Sequence, residues 1–127
     1  MTMDRRIILG GAAAMLAWPG EVLAMEENHM FGMLGRMKAV AGKRDALLDI
    51  LLDGSGAMPG CLSYIVAKDL ADPDAIWITE AWDSKESHDA SLKLPQVREA
   101  IAKARPLIAG FDSSAQTQPV GGIGLQG

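Results

Sequence analysis

The sequence is poor in the residue types that most often carry chemistry. It has one cysteine, Cys61, one tyrosine, Tyr64, and two histidines, His29 and His88, in 127 residues. A lone cysteine closes no internal disulfide, and no Cys/His cluster at ligand spacing offers a metal site. Its thiol reads as a buried, inert group. No apolar run is long enough to span a bilayer comfortably. Cations are the minority: 12 Lys and Arg against 16 Asp and Glu leave a net charge of −4. That balance argues against nucleic acid or an anionic membrane as partner. What is abundant is apolar side chain, 49% of the chain against 22% charged, which fits one globular domain with a single core.

Residues 1–24 read as an export signal. Arg5-Arg6 precede Ile7-Ile8-Leu9, a moderately apolar stretch runs from Gly10 to Trp18, and Pro19-Gly20 break it before Val22-Leu23-Ala24. Paired arginines before large apolar residues are the twin-arginine pattern, and a small residue closes a peptidase site. No cysteine follows that site, so no lipid anchor is expected, and the mature protein is placed in the periplasm or outside the cell. A mis-assigned start, with Met25 or Met30 as the true first residue, would instead make the protein cytoplasmic. Residues 25–29, including His29, form a polar leader.

From Phe31 to Ala39 apolar residues alternate with others, the period of a strand. Gly42 ends it. Residues 43–52 then carry Leu47, Leu48, Leu51 and Leu52 on one helical stripe, and Asp53-Gly54-Ser55-Gly56 stops that helix. Pro59-Gly60 turns into a second strand over residues 61–68, and Asp72-Pro73-Asp74 leads to a third over residues 76–82. Asp83, with Glu86 three residues on, predicts a capped helix to about Leu92. Pro95 suits the first turn of another helix whose apolar face is Val97, Ala100, Ile101 and Ala104, with Pro106 weakening its end. Residues 111–120 supply an irregular fourth strand, and residues 121–127 form a glycine-rich tail.

Strand, helix, two strands, a helix pair and a strand make an α+β ferredoxin-like sandwich, with helices on one face of a four-stranded antiparallel sheet. The second and third strands are apolar on both faces, so the uncovered face needs a partner. The simplest partner is a second copy, giving a homodimer in which two sheets form a dimeric α/β barrel.

The strings Pro59-Gly60-Cys61-Leu62-Ser63-Tyr64 and Ile78-Thr79-Glu80-Ala81-Trp82-Asp83-Ser84-Lys85-Glu86-Ser87-His88, continued by Leu94-Pro95, resemble the antibiotic biosynthesis monooxygenase domain. The likeness covers residues 30–120 and centres on the Glu-x-Trp segment and the capped helix after it. It implies the dimeric barrel, with a pocket between sheet and helices in each subunit. Members of that family oxidise phenols or quinols with O2 and no metal, flavin or haem, others degrade haem, and some have no established activity. The haem-degrading pattern needs Asn, Trp and His where this chain has Gly35, Ser91 and Ile101. Quinol-oxidising relatives carry a His at the place of Ser91, and His88 lies three residues earlier on the same helix face.

The resemblance thus implies a cofactor-independent monooxygenase for a phenolic or quinol-like small molecule. The alternative is a non-catalytic dimer of the same fold that binds a small ligand. His88 is the candidate base, with an exposed helix position as its plainer reading. Tyr64, Trp77, Trp82, Glu80 and Arg36 are the candidate substrate-binding residues. Trp77 and Trp82 alternate to opposite faces of one strand and cannot both line one pocket. Glu80 shares a face with Trp82, where a carboxylate is costly unless paired, and Arg36 or Lys38 is the expected partner.

Overall fold

The alternation read in the sequence forms β1, Phe31–Ala39, in which Phe31, Met37 and Ala39 are buried on one face. The protein is described by a computed structural model over residues 28–125; the expected export signal and residues 25–27 of the leader lie outside the described residues. After β1 come α1 (Arg44–Gly54), β2 (Cys61–Lys68), β3 (Ala75–Trp82), α2 (Lys85–Ser91), α3 (Pro95–Ala104) and β4 (Ile108–Thr117). The strands make one antiparallel sheet in the order β2-β3-β1-β4, and the architecture is the expected α+β ferredoxin-like fold.

All three helices lie against one face. There Leu47 of α1 and Ala104 of α3 close on Met37, Ala39 and Ile76, forming the core. Leu47 and Ile76 are fully buried, so each removes a whole branched side chain from water. The helices pack closely because Gly54 ends α1: a Cβ there would sit 2.4 Å from the Ala100 Cβ. At the N-terminus of α1, Arg44 Nη1 donates to the carbonyls of Asp69, Asp72 and Ala75, tying the helix to the β2–β3 loop.

Several boundaries differ from the sequence reading: α1 runs on through Gly54, β3 begins at Ala75 and β4 ends at Thr117, and two further differences have a visible cause. The cap of α2 is Ser84, whose Oγ accepts from Ser87 N–H at 3.0 Å. Asp83 lies one residue outside the helix, its N–H donating to the Gly60 carbonyl at 2.8 Å and its Oδ1 accepting from Ser84 Oγ. The fourth strand begins at Ile108, three residues early, because Pro106 sits in a single 3-10 turn, Arg105–Leu107, that delivers Ile108 directly opposite Ala39.

Pairing register decides which side chains face the helices. Phe31 lies opposite Trp82, Met33 opposite Glu80 and Met37 opposite Ile76, while Tyr64 of β2 lies opposite Glu80. Those residues face the helices. Arg36 lies opposite Trp77 and Leu34 opposite Thr79 on the outer face, with Ile65 beside Thr79.

Candidate active site

Between the sheet and the helices lies a cavity of about 590 Å3, bounded by Tyr64, Glu80, Trp82 and Met37 on the sheet and by His88 and Ile101 on the helices. A pocket of that size suits a small molecule. Phe111, Leu92 and Ile101 also border it, and each is partly open to solvent.

His88 is set in place by the turn before β2. Gly60 has φ +83, and a Cβ there would come within 2.5 Å of Ser87 Oγ. Only glycine takes that conformation freely and admits the close approach. The Pro59-Gly60 turn therefore abuts α2 one residue before His88. The imidazole lies against Phe31, with ring centres 5.4 Å apart, and meets the edge of Trp82 at 5.5 Å. Its side chain is 15% exposed, which separates it from the plainer reading of a solvated helix residue.

The two ring nitrogens have different company. Nδ1 lies 3.0 Å from Asp89 Oδ1, whereas Nε2 faces Glu80 Oε1 at 4.0 Å, too far for a hydrogen bond. A carboxylate on Nδ1 favours the tautomer with its proton there and leaves the Nε2 lone pair turned toward the cavity. The Asp89 carboxyl is held below its usual range, first by a hydrogen bond from Lys85 and then by His88. It remains an acceptor across neutral pH.

Glu80 accepts from Trp82 Nε1 at 2.9 Å. The indole is 1% exposed, so its N–H needs a partner inside the protein. Arg36 and Lys38, the partners expected for Glu80, are on the other face of the sheet. Arg36 meets Asp69 at 3.2 Å, Asp72 at 3.2 Å and Asp112; Lys38 also meets Asp72. Trp77 is there too, its Nε1 donating to Asp69 Oδ2 at 2.8 Å and its ring under the Arg36 guanidinium. The fold thus brings Tyr64, Glu80, Trp82 and His88 together around one cavity and leaves Trp77 and Arg36 outside it.

Tyr64 is held as a neutral phenol. Burial first, and the negative charge of Glu80 second, push its hydroxyl up to about 12. Burial likewise pushes the Cys61 thiol up, in keeping with an inert sulfur. Among the described residues no group of three His, Cys, Asp or Glu side chains is placed to hold a metal ion. No described helix is long and apolar enough to cross a membrane.

The family model for antibiotic biosynthesis monooxygenases matches residues 30–103. The chain belongs to that family. A crystal structure from Chloroflexus aurantiacus J-10-fl, provisionally named an antibiotic biosynthesis monooxygenase, is 61% identical over 76% of this chain and 98% of its own, with a TM-score of 0.74. One from Caulobacter crescentus CB15, under the same provisional name, is 19% identical over 74% of this chain and 92% of its own, with a TM-score of 0.67. A Bacteroides thetaiotaomicron VPI-5482 protein, described as of unknown function and a possible oxidoreductase, is 15% identical over 72% of this chain and 98% of its own, at 0.63. These last two likenesses concern the fold. No curated protein matches the sequence.

Within this family member, Ser91 and His88 both border the cavity, one turn apart as their spacing required. Ser91 Oγ donates to the His88 carbonyl at 2.6 Å, so the serine braces the helix that bears the imidazole. Sequence reasoning missed Asp89 and Phe31, which orient His88. Asp89 had a signal, a carboxylate directly after the helical histidine and four residues beyond Lys85. Phe31 had none, because only the β1–β3 register brings it beneath α2.

Proposed function

We propose that the protein is a monooxygenase that oxidises a phenolic or quinol-like small molecule with O2, with His88 as the base. The observation that carries this reading is the imidazole walled in by Phe31 and Trp82, its Nδ1 beside Asp89 and its Nε2 toward the cavity. Family membership supports the reaction class. His88 Nε2 takes the phenolic proton, and the phenolate passes one electron to O2. The resulting radical and superoxide join at the ring carbon para to the oxygen. Loss of the hydrogen on that carbon with cleavage of the O–O bond gives a quinone, and the second oxygen leaves as water. Four electrons pass from the phenol to O2, so the balance closes without an external reductant. An apolar cavity favours the sequence by keeping water from the peroxide. Tyr64, held protonated, is a donor for a developing carbonyl.

The proposal includes a homodimer formed through the outer sheet face, where Leu34 is 39% and Ile65 56% exposed, and export directed by residues 1–24. The decisive measurement is O2 uptake by the full chain with a panel of quinols and polyphenols. Uptake well above buffer is expected, falling about 100-fold or more in His88→Ala, the usual contribution of a positioned base. Uptake equal to buffer, or unchanged by the substitution, overturns the enzymatic reading.

A further inference from the structure

Glu80 is the cavity residue that the proposed reaction leaves without a task. Its side chain is 16% exposed on a sheet face that also carries Tyr64, Ile78, Trp82 and Met37, yet among the described residues no lysine or arginine pairs with it. A carboxylate withdrawn from water without a cation is costly. Among the described residues Trp82 Nε1 is the one donor that bonds it. A carboxylate accepts several hydrogen bonds, so most of its capacity is unused. The groups facing it are His88 from α2 and Tyr64 from β2, with Cys61 further along β2.

The space between Glu80 and His88 is informative. Oε1 and Nε2 stand 4.0 Å apart. A ligand hydroxyl fits between them: its single proton donates to Glu80 Oε1 or to the Nε2 lone pair at ordinary hydrogen-bond length, and not to both at once. The spare acceptor capacity of Glu80 is then open to whatever fills the cavity. We propose that Glu80 is the specificity-determining residue of this cavity: it binds the hydroxyl of an uncharged aromatic ligand and turns away ligands that present a carboxylate. The inference rests on the reading of the cavity as a phenol site and adds a charge filter to it.

The filter follows from electrostatics. A neutral O–H gains a charge-assisted hydrogen bond at Glu80. A carboxylate in the same place would face a like charge at low local dielectric, where repulsion is much stronger than in water. Among the described residues the one lysine or arginine on the cavity lining is Arg105, exposed in the 3-10 turn that follows α3. It could hold an anion at the rim, so the test must account for it.

Isothermal titration of the full chain with 2-naphthol and with 2-naphthoate separates the two cases, because the probes share a ring system and differ in charge. The native protein is expected to bind naphthol at least about 30-fold more tightly than naphthoate. Glu80→Gln keeps an acceptor oxygen and removes the charge, so it should hold naphthol within about threefold and narrow the preference to about threefold. Arg105→Gln, measured in parallel, removes rim capture and should widen the preference. Equal binding of the two probes by native protein, an unchanged preference in Glu80→Gln, or no binding of naphthol overturns the proposal. The native ratio alone suffices if the Glu80 variant does not fold. Selective naphthol binding with no O2 uptake on any quinol keeps the filter and overturns only the oxygenase reading.

Discussion

The two faces of the sheet handle charge in opposite ways. On the outer face Arg36 collects Asp69, Asp72 and Asp112, and Lys38 adds a second contact to Asp72. Every carboxylate there has a cation. On the inner face Glu80 has an indole N–H and an imidazole at 4.0 Å instead. The outer arrangement stabilises a surface and its loop; Asp69 also accepts from the N–H groups of Ala71 and Asp72. The inner one keeps a charge available to a ligand. The contrast separates structural electrostatics from the kind that marks a site.

The sharpest way to break the comparison is to remove one apolar side chain from each face. Leu47→Ala empties a fully buried position in the core and is expected to cost about 3 kcal/mol, lowering the melting temperature by roughly 12 °C or more. Leu34→Ala acts on a side chain 39% exposed in the single chain and should cost about 1 kcal/mol or less there. If the outer face is the dimer seam, its effect appears as a steeper dependence of melting temperature on protein concentration. Equal, concentration-independent losses at both positions would erase the distinction.

A second measurement reads the inner face alone. Tyr64 is the single tyrosine of the chain, so its phenolate absorbance is unambiguous. It should ionise near about 12 rather than near its usual value. The folded group binds its proton more tightly than the unfolded one, so the associated stability is complete below about pH 10 and is lost as pH rises toward about 12. Glu80→Gln removes the second cause and should lower the midpoint without restoring the ordinary value. An ordinary midpoint in the native protein would mean that the cavity floor is open to water.

The smallest effect belongs to the outer face. Asp69 is held well below the usual carboxylate range, first by the Ala71 N–H, then by the Trp77 indole, the Asp72 N–H and Arg36. Asp72 is lowered chiefly by Lys38. Depressed carboxyls stabilise the fold above about pH 4 and lose that contribution as pH falls further. Arg36→Leu should flatten the fall in melting temperature between pH 5 and pH 2 only in part, since the loop N–H groups remain. An unchanged acid limb would show that Arg36 contributes nothing to holding Asp69.

Much of this was legible from local pattern. Alternation located β1, the leucine stripe located α1, Pro95 marked the start of α3, and Glu-x-Trp with the following helix pointed to the family. The cap of α2 was less legible, since Asp83 and Ser84 are both good caps. The difference lies in which side chain meets the first free N–H of the helix: Ser87 N–H donates to Ser84 Oγ. The start of β4 was missed because a 3-10 turn through Pro106 leaves no periodic trace.

The sequence by itself determined the order of elements, the alternation that separates Trp77 from Trp82, and the spacing that puts His88 and Ser91 on one side of a helix, since each depends only on local geometry. The tertiary structure decided which strand faces coincide. Phe31 pairs with Trp82, so odd positions of β1 share a side with even positions of β3. That parity sends Arg36 to Trp77 and Met33 to Glu80, leaving the carboxylate without the arginine that composition alone suggested. A shift of one residue in pairing would have reversed the assignment, and no local property of either strand records it.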